Sequence, residues 1–393
     1  MTLGEVTHVV SKGTTPSSIG LSFSTNGIAF LKGEDVLGRE IDFSVANTFI
    51  NAASHQVLNR SALEYGDVLI TIAGTIGRIG FIADKGRIAN CNQAVAFARP
   101  HLEKIDPAWL CYLLQSPKHQ SKFASFVAGG AIPNVNLQQI RTLEIPSVVI
   151  DKQRQIAVRL KAQLAQVESA RQAAQTQLSD TRLLRARMLK AFFAELDGAP
   201  KKKLGDHART TSGSTPSRGN KQYWQPAEIA WVKTGEVAFA SIMTTEEAIS
   251  KTALTERSLT LLPPKSVLIA MYGQGKTRGQ SAILEIPATT NQACFAILPN
   301  DTWEPDFLYL WLKSSYQDLR DLSEDRGGNQ ANLNGALLRA LEVPAPSKTE
   351  QQHIVARIQA AMTEIDTMEN LSKAALKDIN RLSSRVLAQA FEV

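Results

Sequence analysis

Cysteine is scarce: the 393 residues contain three, Cys91, Cys111 and Cys294, widely spaced and without a C-x-x-C pair. That argues against a disulfide scaffold or a zinc ribbon and favours a reducing, cytoplasmic setting. Long apolar runs are also missing, and none reaches the roughly 18 residues needed to span a bilayer. Met1–Val10 has no basic segment leading into an apolar one, so it does not read as a secretory signal. The six histidines (His8, His55, His101, His119, His207 and His353) show no ligand-like spacing in the chain. No G-x-S-x-G, H-E-x-x-H or H-x-E…C-x-x-C arrangement occurs, nor the [DN]-P-P-[YF] run that amino-methyltransferases use. The sequence therefore offers no ready catalytic machinery.

What is present is an ordinary globular balance, 44% hydrophobic and 20% charged, with enough apolar material for cores. At about 150 residues per domain, the length suggests two or three domains. The net charge of +6 and a pI near 9.1 are compatible with a nucleic acid or another anionic surface.

The dominant feature is a repeat. Leu3-Gly4-Glu5 returns as Leu204-Gly205-Asp206, and Gly13-Thr14-Thr15-Pro16-Ser17 as Gly213-Ser214-Thr215-Pro216-Ser217. Ile28-Ala29-Phe30-Leu31-Lys32 returns as Ile229-Ala230-Trp231-Val232-Lys233, Val68-Leu69-Ile70 as Val267-Leu268-Ile269, and Asn92-Gln93-Ala94 as Asn291-Gln292-Ala293. Asn134-Val135-Asn136 matches Asn332-Leu333-Asn334, Leu143-Glu144-Ile145-Pro146 matches Leu341-Glu342-Val343-Pro344, and Gln153-Arg154-Gln155-Ile156 matches Gln351-Gln352-His353-Ile354. The order is kept and the offset drifts only between 198 and 201. This is a tandem duplication of a whole domain. Between the anchors the halves diverge, as Leu37–Leu58 does from Val237–Leu254, which reads as one scaffold carrying different surface loops.

Each half has a mixed part followed by a long helix. Val68–Ile72 reads as a buried strand, and Val95–Phe97 and Ala296–Leu298 as strands that end before Pro100 and Pro299. Trp109–Leu114 reads as a helix capped by Asp106 with Pro107 in its first turn, and Phe307–Leu312 repeats it. Glu144-Ile145-Pro146 and Glu342-Val343-Pro344 read as short closing strands. From Asp151 to Leu196 there is neither proline nor glycine, and good helix formers dominate. Leu160, Leu164, Val167, Ala174, Leu178, Met188 and Phe192 form its apolar stripe, interrupted by Arg171 and Arg185. In the last segment Ile358, Ala361, Ile365, Met368, Ser372, Ala375, Ile379, Leu382 and Val386 step by three and four, a coiled-coil seam. A helix of about 45 residues would be nearly 70 Å long, and the simplest cover for its seam is its own duplicate. Gly198-Ala199-Pro200 ends the first helix and Lys201-Lys202-Lys203 leads into the second domain.

Some segments invite a chemical reading. Ala270-Met271-Tyr272-Gly273-Gln274-Gly275-Lys276-Thr277 ends in Gly-Lys-Thr, but a phosphate-binding loop needs glycine at the place of Ala270 and a helix after the lysine. Arg278-Gly279-Gln280 is a poor helix start, and the matching Ala73–Arg78 lacks the motif. A glycine turn carrying Lys276 and Arg278, or Arg78, suits a phosphate backbone; it equally suits a hairpin whose basic groups are solvated. Asn92-Gln93 and Asn291-Gln292 could read adenine edges or satisfy backbone groups at turns. Gly129–Asn134 and Arg326–Asn332 look like exposed polar loops.

Two variable mixed domains, each followed by a long helix, in duplicated halves, resemble the specificity (S) subunit of a type I restriction–modification system. The resemblance covers essentially the whole chain and rests on the order of the motifs: the Gly-x-Thr-Pro turns near Gly13 and Gly213, the Asn-Gln pairs, the exits at Pro146 and Pro344, and the Gln-rich helix starts at Gln153 and Gln351. It implies an α+β architecture with an internal pseudo-twofold. Target recognition domain 1 would span 1–150 and the first spacer helix 151–197. Target recognition domain 2 would span 198–347 and the second helix 348–393. The helices would form an antiparallel coiled coil.

The resemblance also implies a function: each domain reads one half of a bipartite double-stranded DNA site, and the helices set the spacer and dock two modification (methyltransferase) subunits. Restriction (endonuclease/translocase) subunits would join them. S-adenosylmethionine would belong to the modification subunits, ATP and magnesium to the restriction subunits, and no cofactor or metal to this chain. The assembled complex would methylate adenine N6 and cleave DNA, while this chain would supply no catalysis. Lys12, Thr14, Lys32 and Arg78 are the expected DNA contacts in the first domain, and Lys233, Lys276, Arg278, Arg326 and Asn329 in the second. Competing readings are a modification-only or phage-exclusion system with the same architecture, a coiled-coil scaffold that binds no DNA, and a P-loop ATPase built on Lys276.

Overall fold

The computed structural model describes the chain except residues 38, 128–133, 274, 325–331 and 392–393. It divides into two compact units, residues 1–175 with 374–393 and residues 176–373. Each unit therefore contains one mixed domain and a segment of both long helices.

In the first unit, Thr7–Lys12 pairs antiparallel with Val95–Pro100, which pairs with Val68–Thr71, which pairs with Ile79–Phe81. A second sheet runs Phe49–Ile50, Ile28–Leu31, Ala89–Cys91, Ala62–Leu63, with Ile28–Leu31 parallel to Ala89–Cys91. All four residues of Val68–Thr71 are buried, because alternate side chains enter different cores. Val68 and Ile70 pack with Trp109, Leu110 and Leu113, while Leu69 packs with Phe97, Leu31 and Cys91. That explains an unbroken apolar run in a strand covered on both faces. The helix Pro107–Gln115 begins as its sequence foretells: Asp106 accepts the N–H of Trp109 at 2.9 Å, with proline in the first turn.

The second unit repeats the plan. Thr210–Ser212, Cys294–Ile297, Val267–Ala270 and Ser281–Leu284 are neighbours in order, with Ser241–Ile242 at the edge. Val267 and Ile269 face Trp303, Phe307 and Leu308, and Leu268 and Ala270 face Val232, Cys294 and Ala296. Helix Pro305–Ser314 stands where Phe307–Leu312 was expected.

Some boundaries differ from the sequence reading. Val95–Pro100 runs through its proline, because the strand partner of Pro100 is Thr7, at an irregular end of the ladder. Glu144 makes only an isolated bridge to Thr2. Lys201–Lys203, expected as a lead-in, is itself a strand paired antiparallel with Glu342–Pro344.

The long helices are Ile150–Ala194 and Lys348–Phe391. In the second unit the ion pairs Glu195–Arg357, Arg185–Asp366 and Arg182–Glu369 run in opposite chain order, so the two helical segments there are antiparallel. In the first unit Leu387 joins Ala157, Leu160 and Leu164 in the core, and the Phe391 ring meets Trp109 edge-on at 6.1 Å.

The seam of the second helix is corrected by one residue. Ile358, Ile365 and Ser372 are buried and Ile379 and Val386 half-buried, but Met368 is 44% and Leu382 38% exposed, and Ala375 is exposed. The intermediate seam positions are Met362, Glu369, Leu376 and Ser383. Ala361 and Met362 are both half-buried, and from Ile365 on steps of four then three replace three then four. Counting apolar residues selects Met368, whereas the packing selects Glu369, which Arg182, Arg185 and Lys373 hold by ion pairs.

Candidate nucleic-acid interface

In the first unit several strand ends deliver polar loops to one place. Thr7–Lys12 leads into Gly13, whose N–H reaches Val95 O, and Thr14, whose N–H reaches Cys91 O, each at 3.1 Å. A Cβ on Gly13 would fall on the backbone of Cys91 and Asn92, so glycine is required by close approach. The Thr15 hydroxyl donates to Gln93 Oε1. The Asn92 N–H bonds Leu31 O at 3.0 Å, which places Lys32 beside the same loop. Thr71 organises the neighbouring turn. Its hydroxyl donates to Thr75 O at 2.5 Å and accepts the N–H of Arg78 at 2.9 Å. Gln120 donates to Gly77 O at 3.0 Å and fixes the far side of the turn.

The second unit builds the same cluster from its own residues. Ser214 N–H bonds Thr290 O at 3.0 Å, and the Thr215 hydroxyl donates to Gln292 Oε1 at 2.6 Å. Asn291 N–H bonds Val232 O at 3.0 Å, and the Thr234 hydroxyl donates to Asn291 Oδ1 at 2.9 Å. The turn carrying Lys276 is braced from Tyr316–Glu324: Tyr316 OH donates to Lys276 O at 2.7 Å and Arg320 to Gly275 O at 2.8 Å. No helix follows Lys276; the chain turns and enters Ser281–Leu284. The segment therefore lacks the helix N-terminus on which a P-loop depends.

The asparagines of the paired motifs serve their own turns. Asn92 Oδ1 and Asn291 Oδ1 accept the N–H of Ala94 and Ala293, each at 3.1 Å. Gln93 and Gln292 instead bond the threonines of the facing loop and carry the polar surface.

The expected contact residues fall into distinct electrostatic settings. Lys12 is exposed, Thr14 and Arg78 half-buried and Lys276 exposed, and among the described residues no carboxylate pairs with Lys12, Arg78 or Lys276. Lys32 lies 3.6 Å from Glu34. Lys233 lies 2.5 Å from Glu246 and 3.2 Å from Glu247, and these hydrogen bonds push its ammonium above the ordinary lysine value. Arg278 is only 8% exposed, so its guanidinium belongs to the interior of the turn. Arg326 and Asn329 lie outside the described residues.

Sequence reasoning missed a second polar feature. Arg218 stacks over Trp224 at 3.9 Å and over Trp231 at 5.2 Å while paired with Glu247. Only the strand register, which sets Trp231 opposite Glu247, brings these groups together. The three cysteines are buried, and burial pushes their thiols up, Cys294 to about 12. They are not poised as nucleophiles.

The type I restriction modification DNA specificity domain family matches residues 1–176 and 198–377. Among curated relatives, the type I restriction enzyme EcoR124I/EcoR124II specificity subunit of Escherichia coli is 26% identical over 170 residues, 43% of this chain and 41% of that one. The MjaIX specificity subunit of Methanocaldococcus jannaschii is 33% identical over 158 residues, 39% and 35% of the two chains. The matches thus span about two fifths of the length of these relatives or less. Two solved structures, each 17% identical, share the fold over the whole chain. One comes from work on complex assembly and conformational transition of the type I R-M system (TM-score 0.75, covering 96% of that chain). The other is the HsdS subunit from Thermoanaerobacter tengcongensis (TM-score 0.65, covering 95%).

Proposed function

Because the chain belongs to the type I restriction modification DNA specificity family, we propose that it is the DNA-addressing subunit of a type I restriction–modification complex. The observation that carries this reading is the duplicated loop cluster. Thr15–Gln93 and Thr215–Gln292 repeat one polar framework in two domains whose intervening loops differ. Equal frameworks with unequal loops suit two readers of two different half-sites. Phosphate contacts from groups such as Lys12, Arg78 and Lys276 position the duplex, and the divergent loops discriminate bases.

The long helices set the distance between half-sites and dock two modification subunits, and restriction subunits join the same assembly. A methyltransferase acting within a duplex must extrude its target base, so this chain's task is to hold the DNA where each modification subunit reaches its adenine. S-adenosylmethionine and ATP are handled by those partners, and the complex works in the cytoplasm. No helix of the described residues is long and apolar enough to cross a membrane.

The test is a genome-wide map of methylated adenine in the source cell with and without the gene. Loss of one split motif with a fixed gap supports the reading. An unchanged map in cells that express the partner subunits overturns it.

A further inference from the structure

We propose that His8, His101 and Glu103 form a binding site for a divalent transition-metal cation of the Zn2+ class, present in the first half of the chain only. The three ligand atoms lie within 4.8 Å of one another. The imidazole centroids are 3.7 Å apart, tilted by 55°, and His101 Nδ1 is 3.6 Å from Glu103 Oε1. Ligands on a tetrahedral ion with bonds of about 2.0–2.1 Å sit about 3.4 Å apart. One edge of the site is therefore near its bound length, and rotation of exposed side chains closes the others.

The backbone explains why residues so distant in sequence meet. Thr7 faces Pro100 and Val9 faces Arg99, so His8 is the extra residue at a shift in strand register. Such a bulge re-aims a side chain, and the His8 ring lies against His101, just beyond the end of the neighbouring strand. His101 is held on the backbone: its N–H bonds Val6 O at 3.0 Å, and its carbonyl accepts from Lys104 and Ile105, each at 2.8 Å. Gln153 then donates to Lys104 O at 2.9 Å. Two of the three ligands thus stand on a braced turn.

The duplication provides an internal comparison. Seven steps separate Leu3 from Val10, but six separate the matching Leu204 from Thr210. The second copy lacks the inserted residue, and its ladder from Thr210 to Ser212 runs without a register shift. There the His207 ring centroid lies 6.2 Å from that of Trp303, and among the described residues no second imidazole stacks on it. The insertion and the ligand pair therefore occur together, in one half.

Two imidazole nitrogens and one carboxylate oxygen suit Zn2+ or Ni2+, whereas Mg2+ and Ca2+ prefer oxygen ligands. Three protein ligands leave a position open to water. Binding would tie the first strand to the end of its partner and is independent of the DNA-addressing role.

The experiment is calorimetric titration of the untagged full chain with ZnCl2 at about pH 7.5. One saturable equivalent is expected, weakened at least about tenfold in His8→Ala and in His101→Ala, with a smaller loss in Glu103→Gln and no response to MgCl2. The rise in thermal midpoint on adding Zn2+ should disappear in the same variants, whose circular dichroism checks that they fold. Absence of saturable binding, or unchanged affinity and stoichiometry in the His8→Ala/His101→Ala double variant, overturns the proposal.

Discussion

The carboxamide of Gln153, 1% exposed at the start of the first long helix, accepts the backbone N–H of Asp106 at 2.9 Å. The same group donates to Lys104 O at 2.9 Å and Val148 O at 2.7 Å. Gln351 repeats the clamp with the N–H of Glu304 at 2.8 Å, Thr302 O at 2.8 Å and Pro346 O at 2.9 Å. Each glutamine thus ties the turn before a core helix to the exit from the mixed domain. Removing it leaves three backbone groups without partners, and a buried unsatisfied group costs about 1–3 kcal/mol. Gln153→Ala should therefore destabilise the first unit by about 2–4 kcal/mol after partial rehydration, read from urea unfolding. Gln153→Glu keeps the acceptor but sets a buried carboxylate, which cannot donate, against two carbonyl oxygens, so it should cost at least as much as Gln153→Ala. A neutral Gln153→Ala would mean that water replaces the clamp.

These glutamines also mark how far the sequence could be read. Their recurrence at Gln153 and Gln351 was visible, but three backbone partners for each side chain were not, since those partners lie in segments 5 to 49 residues away. The buried strands at Val68 and Val267 were legible because residues facing two cores must all be apolar. The Asn-Gln pairs were visible as anchors, but only the turn geometry separates the asparagine from the glutamine. Lys233 looked like Lys32 because the two glutamates that hold it come from a stretch where the halves diverge.

The seam correction makes a direct contrast. Met368→Glu and Leu382→Glu alter side chains 44% and 38% exposed and should change stability by no more than about 0.5 kcal/mol. Ile365→Ala, at a side chain 2% exposed, should cost about 2–4 kcal/mol. Thermal unfolding of the full chain separates the cases. A large loss at Met368 would restore the seam counted from apolar residues.

The lysines divide by their neighbours. Lys12 has no carboxylate partner among the described residues, so Lys12→Ala should lower the slope of log affinity against log salt by about one. Lys233→Ala removes a charge already held by Glu246 and Glu247 and should leave the slope nearly unchanged. Anisotropy of a labelled duplex, measured over a salt series with modification subunits present, gives both slopes. Equal losses would show that DNA draws Lys233 away from its glutamates.

His119 gives the first unit an acid sensitivity. Its Nε2 meets the carbonyl Glu144 O at 2.9 Å and so donates there, and in the neutral ring Nδ1 accepts from the Ser116 hydroxyl at 3.1 Å. Burial holds its pKa below 6.5, opposed by the bond to Glu144 and aided by nearby Lys118. The folded state therefore binds fewer protons than the unfolded chain. Stability should fall as pH drops through about 6.5 and level off below the depressed value. Between about pH 7.5 and 5.5 the wild type should lose more thermal midpoint than His119→Gln. Equal losses would assign the acid sensitivity to other groups.

Exchange of the first domain tests whether the duplicated framework is a pair of independent readers. The polar cluster around Thr15 and Gln93 is assembled from residues within 1–150, and the cluster around Thr215 and Gln292 from residues within 198–347. Neither borrows a hydrogen-bonding group from the other half in the contacts that define it. Replacing residues 1–150 with the first domain of another member of the family should therefore change one half of the methylated motif. The other half should stay the same, and so should the gap if, as proposed, the unchanged helices set it. Methylome sequencing of cells carrying the chimera and the partner subunits reads all three at once. A change in both halves would mean that base choice is shared between the domains and that the repeat is a device of assembly rather than of reading. A changed gap with conserved second-half bases would place spacer control in the domain rather than in the helices.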